Sequence, residues 1–216
     1  IINAYKGKLR PEKGINLPDT SLSLPSLTHE DLELLPFVGE HADVLGYSFV
    51  RKPEDVARLY VELQRLKITR CGIVFKIENN EAFENLPLIL FAAMKDLKIG
   101  VMIARGDLAV EVGFKRISEV QNQILWLCEA AHIPVIWATQ VLDHLAKKGI
   151  ATRAEISDAT ISAQAECVML NKGPHIVETV KVLKNILVRM KGHSRKNKHA
   201  LRALEVAKTS LAKINR

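Results

Sequence analysis

Apolar residues in this chain come in short β-rich runs at regular intervals, and each run stops abruptly in polar or charged residues. The runs are Asp43–Phe49, Cys71–Ile77, Ile99–Ala104, Ile133–Ala138 and Glu166–Leu170, with starts 28, 28, 34 and 33 residues apart. Between them, apolar positions recur at helical spacing. They predict amphipathic helices over Pro53–Leu66, Glu81–Met94, Phe114–Ala131, Gln140–Lys147 and Arg153–Ala165, with a last one at Pro174–Met190. Pro53 suits the first position of its helix, and Thr152-Arg153-Ala154-Glu155 is a capping-box pattern. A short helix is expected ahead of the first run, over Thr28–Phe37 with Thr28 as its cap. Before it, residues 2–19 read as a strand end followed by turns around Gly14 and Pro18. Strands alternating with helices at this spacing predict parallel strands joined by helical crossovers.

An open doubly wound sheet and a (β/α)8 barrel both meet that pattern, and the polar residues decide between them. Ser48 and Arg51, Lys76 and Glu78, Arg105 and Asp107, Thr139 and Gln140, and Asn171 and Lys172 stand at the C-terminal ends of the five runs. Consecutive strands that each deliver polar groups to one rim are how a barrel builds a site. An open sheet gathers its site at one switch point, and neither a GxGxxG nor a GxxxxGK[ST] loop is present. The expected fold is therefore α/β, a partial (β/α)8 TIM barrel of parallel strands with outer helices. A complete barrel needs eight strands and about 250 residues; five runs are visible here.

Charge changes the picture only at one end. The net charge is +7, but nine of the 31 Lys/Arg lie from Arg189 onward against Glu205 alone, leaving 22 bases and 23 acids in residues 1–188. The basicity belongs to the tail, expected to be a solvated helical segment with residues 199–214 partly docked; nucleic acid is not the expected partner. No apolar run approaches the roughly 18 residues of a membrane span, and the N-terminus does not resemble a signal peptide. Cys71, Cys128 and Cys167 are odd in number and sit in apolar runs, so buried, reduced thiols in a cytoplasmic protein are expected. The histidines have no zinc-site spacing.

Candidate chemistry sits at two run ends. Residues two apart on a strand share a face, which puts Lys76 beside Glu78. Gly106 allows close approach to the backbone next to Asp107. A lysine and two carboxylates on neighbouring strand ends suit a metal-assisted reaction on an anionic substrate, the carboxylates holding a hard divalent cation. Plainer readings stand beside these: an ion pair for Lys76 and Glu78, helix capping for Thr139 and Gln140, a helix-surface place for Asp158, and core or rim packing for Trp126 and Trp137.

The segments KIEN (76–79), ARGDL (104–108), PVIWATQ (134–140) and TRAE..DA (152–159) occur in the order and spacing found in pyruvate kinases. With GINLP (14–18) and SFVRK (48–52), the chain resembles that family over about residues 7–190. Its ending resembles a pyruvate-kinase-like group without the usual C-terminal regulatory domain. The resemblance implies phosphoryl transfer between phosphoenolpyruvate and ADP, giving pyruvate and ATP in glycolysis. It makes this chain the last five β/α units, with 1–18 as the connection from the lid domain, 19–191 as the partial barrel and 192–216 as a basic tail. Lys76 would lie against the phosphoryl group and Thr139 near the enolate carbon. Glu78 and Asp107 would bind Mg2+ or Mn2+. Gly106 and Asp107 would face the substrate carboxylate, with Ser48, Arg51 and Arg105 in support. A K+ site would use family ligands outside this chain, and a homo-oligomer is implied.

The chain departs from the family in three ways. It lacks the opening strands and the lid domain. Asn171-Lys172-Gly173-Pro174 replaces the usual Ser-Gly-Glu-Thr, and Ala109 replaces the glycine of ARGDLG, with a bulky Trp137 before Ala138-Thr139. The chain is expected to be a fragment with little turnover alone. Two further readings are a pyruvate-enolate enzyme that makes or breaks carbon–carbon bonds, and a non-catalytic metabolite-sensing or scaffolding barrel.

Overall fold

The computed structural model describes residues 15–18, 20, 23–95, 98–191 and 205–214. The strand end expected within residues 2–14 and the basic stretch 192–204 lie outside them. Five strands, β1 (Val44–Tyr47), β2 (Gly72–Ile77), β3 (Ile99–Ala104), β4 (Val135–Val141) and β5 (Cys167–Leu170), form one parallel sheet in the order β1-β2-β3-β4-β5. Sequential order without reversal is barrel progression. The sheet is a half-barrel flanked by helices, with β1 and β5 as its edges.

Alternation along the strands builds the core. On β2, Ile73, Phe75 and Ile77 are buried, while Val74 and Lys76 on the other face stay partly open. Val101 and Ile103 of β3 and Val135 and Trp137 of β4 extend the same buried layer. Helix α2 (Pro53–Arg65) adds Val56, Leu59 and Leu63 to it, and α6 (Ile117–Ala130) adds Val120, Ile124 and Cys128.

The helices differ from the sequence pattern where local chemistry intervenes. Helix α1 (His29–His41) starts as expected, with Thr28 and Asp31 forming a reciprocal capping box. It runs past Phe37 even though Pro36, inside it, has no N–H to give. The single helix expected over Glu81–Met94 is two, α3 (Asn80–Glu84) and α4 (Leu86–Ala93), broken at Asn85, with Pro87 in the first turn of α4. Helix α5 (Arg105–Val112) had no signal of its own, and it places Gly106 and Asp107 in the first turn of a helix leaving β3 directly.

Helix α7 (Asp143–Lys148) starts three residues later than expected, because Thr139 and Gln140 belong to β4 and do not cap it. The Thr152/Glu155 box does cap α8 (Arg153–Ile161), which ends in a 3-10 turn at Ser162–Gln164. Helix α9 (Ile176–Met190) follows β5.

Helix α10 (Glu205–Ile214) is the described part of the tail, and it docks on α3 and α4. Val206 is buried, the Ser210 hydroxyl donates to the Glu84 carbonyl at 3.2 Å, and Lys213 Nζ donates to Asn85 Oδ1 at 2.7 Å.

One cysteine differs from expectation. Cys71 and Cys128 are buried, but Cys167 is exposed. It lies on edge strand β5, on the same face as Met169, which is 38% exposed.

Candidate active site

At the end of β2, Lys76 and Glu78 form an ion pair, Nζ to Oε1 at 2.8 Å. Glu78 is only 4% exposed and Lys76 26%. A buried carboxylate must have its oxygens satisfied. Here Oε2 accepts the Phe49 N–H at 2.7 Å, and Lys76 Nζ also donates to Ser48 Oγ at 2.8 Å. Phe49 takes a left-handed backbone conformation, φ 55°, as the chain turns out of β1. The first two strand ends are thus tied into one polar cluster.

Arg51 stands beside that cluster, its N–H on Asp55 Oδ2 at 2.8 Å and its guanidinium on the Leu24 carbonyl. With Ser48 and Glu78 it lines a cavity of about 990 Å3 that opens next to edge strand β1. Tyr47 lies below, its hydroxyl 2.5 Å from Ser26 Oγ, and burial pushes its pKa up to about 12.

On the next strands, Gly106 and Thr139 face each other: a side chain at Gly106 would begin 3.8 Å from Thr139 Oγ1 and Cγ2. Asp107 Oδ1 accepts from Asn16 Nδ2 at 3.3 Å. Thr139 is at φ 66°, followed by Gln140 at 56° and Leu142 at 50°. Three residues of this kind within four, one of them β-branched, are backbone strain of the sort that collects at functional sites. The register records it as well: β4 advances from Trp137 to Val141 while β5 advances only from Val168 to Leu170. The Thr139 hydroxyl is buried and finds no hydrogen-bond partner among the described residues.

Arg105 is no free cation on the rim. Its Nε donates to the Ala138 carbonyl at 2.9 Å and its Nη2 to the Thr139 carbonyl at 2.6 Å. Both terminal nitrogens meet the Asp158 carboxylate, Nη2 to Oδ2 at 2.9 Å, and the guanidinium lies 4.7 Å from the centre of the Trp137 ring. Asp158, expected on a helix surface, is half-buried at 28% exposure, because α8 turns it toward β4 where Arg105 meets it.

The loop after β5 is also tied down. Asn171 Nδ2 donates to Asp143 Oδ1 at 2.6 Å, and Lys147 Nζ pairs with Oδ2 at 2.8 Å. The Lys147 and then the Asn171 hydrogen bonds hold the Asp143 carboxyl below the usual range. Lys172 is exposed.

Glu78 and Asp107 offer an all-oxygen donor set suited to a hard cation, but among the described residues no group of three or more metal-type ligands forms. Two carboxylates fit a Mg2+ site that borrows the rest of its shell from water and substrate oxygens.

Sequence reasoning missed Asn16, Asp143 and the Arg105–Asp158 pair. Asn16 and Asp158 lie inside segments already singled out, GINLP and TRAE..DA, but their partners are 91 and 53 residues away.

The chain matches the sequence model of the pyruvate kinase barrel domain over residues 2–179. It is 37% identical over 195 residues to "Pyruvate kinase" of Staphylococcus aureus strain USA300, covering 87% of this chain and 32% of that protein. The same figures hold for the enzymes of strains COL and N315. The chain therefore spans about a third of the length of these relatives. A match across most of the chain, on a parallel half-barrel whose rim carries Lys76, Glu78, Asp107 and Thr139, makes the chain a member of the pyruvate kinase family.

Proposed function

We propose that these rim residues are the phosphoenolpyruvate and metal half of a pyruvate-kinase site, in a cytoplasmic, homo-oligomeric protein that passes a phosphoryl group to ADP. Lys76 lies against the phosphoryl group and offsets its charge, since catalysis of this transfer is mostly positioning and charge neutralisation. The Gly106 backbone and Asp107 face the substrate carboxylate. Glu78 and Asp107 hold Mg2+ or Mn2+, which when bound neutralises charge on phosphate and enolate oxygens. The Thr139 hydroxyl, directly or through water, moves the proton at the enolate carbon.

The observation that carries the reading is the Thr139 hydroxyl, buried, unpartnered and beside Gly106 on a strained backbone. Buried polar groups are mostly hydrogen-bonded, so a buried hydroxyl without a partner calls for an explanation, and a reacting group beside it supplies one. The test is a Mn2+ titration with and without oxalate, an enolate mimic, on the protein and on Asp107→Asn. Manganese binding that oxalate tightens and the variant loses is expected. A folded protein that binds no manganese would refute the site.

One observation favours a second reading. Asn171 opens the segment expected from the resemblance to differ from the family, and its amide is turned onto Asp143 at the start of α7. A carbon–carbon lyase acting on the same enolate fits that change. Pyruvate proton exchange retained without any ADP dependence would select it.

A further inference from the structure

We propose that Arg105 and Asp158 are positioning residues for Thr139. The inference rests on the proposed role of Thr139, and it assigns the guanidinium to the backbone of β4 instead of to substrate charge.

Three observations lead there. First, a β-branched residue at φ 66° is held against its own preference. Second, the carbonyls on either side of the strained link, those of Ala138 and Thr139, both point to Arg105. On the β5 side no ladder pairing holds them, because the β4–β5 register is offset between Trp137 and Val141, and on the β3 side the pairing ends at Ala138. Third, the guanidinium is itself held. Asp158 takes its two terminal nitrogens, the Trp137 ring lies against one face, and the side chain is only 12% exposed. Such a planar fork is rigid, so it holds the Ala138 and Thr139 carbonyls and with them the backbone that carries the Thr139 side chain beside Gly106.

Lysine could keep the charge but not the fork, because one ammonium cannot serve two carbonyls and a bidentate carboxylate in fixed directions. Asp158→Asn leaves both carbonyl bonds possible but frees the guanidinium to swing. The two variants attack the same device from opposite ends.

The test uses the full-length protein as wild type, Arg105→Lys, Asp158→Asn, Thr139→Ala, and Arg105→Lys with Thr139→Ala. The readouts are exchange of pyruvate methyl protons in D2O and a crystal structure of Arg105→Lys. Exchange turnover is expected to fall about a hundredfold in Arg105→Lys, the scale of a displaced proton-transfer group. Pyruvate KM and Mn2+ affinity should stay within about threefold. In the Thr139→Ala background the same substitution should cost almost nothing more, since residues acting as a unit are not additive. Residue 139 should also leave the left-handed region. If Arg105→Lys fails to fold, Asp158→Asn carries the same expectation at about tenfold.

Exchange within threefold of wild type, or losses that simply add, would overturn the inference. A wild-type protein with no exchange would instead refute the role of Thr139. The conformation of residue 139 in the variant would then decide the positioning claim alone: a φ still near 66° overturns it.

Discussion

Replacing Lys76 by methionine separates a structural ion pair from a charge vacancy waiting for a cation. Glu78 is 4% exposed, and the change removes the ammonium 2.8 Å from its Oε1 while Oε2 keeps the Phe49 N–H. Breaking a fully buried pair costs about 3–5 kcal/mol. Lys76 is 26% exposed, so water can reach part of the vacated space, and about 2 kcal/mol is the expected loss. For a domain of this size that is a fall of about 4–8 °C in Tm. A divalent cation should reverse it. Added at 100 times its Kd, it contributes about 2.7 kcal/mol, and in the variant it no longer competes with an ammonium for the carboxylate. Mg2+ should therefore raise the Tm of Lys76→Met by more than that of wild type, followed by far-UV circular dichroism. Lys76→Met with Glu78→Gln should be less destabilised than Lys76→Met and indifferent to Mg2+. A loss under about 0.5 kcal/mol, or equal Mg2+ shifts in all three proteins, would refute the reasoning.

Two other expectations concern the rim and the thiols. At Gly173 a Cβ would stand 2.2 Å from the Ala146 carbonyl oxygen, so Gly173→Ala must push the β5–α9 loop off α7 and strain the His175 N–H bond to that oxygen. The cost is about 1–3 kcal/mol by urea unfolding, and an unchanged midpoint would contradict the packing. Cys167 should react at once with a disulfide reagent at pH 8, Cys71 slowly and Cys128 only on unfolding, because burial pushes the Cys128 thiol up to about 12. A raised thiol pKa favours the folded state fully below the unfolded value of about 8.5, and that contribution is lost as pH climbs toward about 12. Fast labelling of Cys128 in the native protein would show that the α6 core opens.

Much of the half-barrel was legible because periodicity is a local signal. The pattern placed β3 at its observed bounds, and it put β2 and β5 one residue early and β1 and β4 within two or three at either end. Thr28 and Thr152 marked helix starts through a capping chemistry that spans only four residues. What failed was equally physical. Helix α5 is invisible as a separate element because its 8 residues, RGDLAVEV, are too few to show a helical period. Cys167 reads as core, since nothing local says that β5 is an edge strand. Asp158 reads as surface, because its partner is 53 residues away.

The β4 rim shows why site residues are harder to read than the strands that carry them. Thr139 and Gln140 have the composition of a helix cap, and their left-handed conformations defy their propensities. A local rule predicts the cheapest local conformation, and a strained one persists only where distant groups over-determine it. Here those groups come from two separate segments, Arg105 from α5 and Asp158 from α8. Such a device leaves two marks in a sequence, a polar residue at a strand end and an unexplained charge far away, and neither identifies the other. The coupling between Arg105 and Thr139 is therefore the quantity to measure, because it is the part of the site that the fold supplies and no single segment contains.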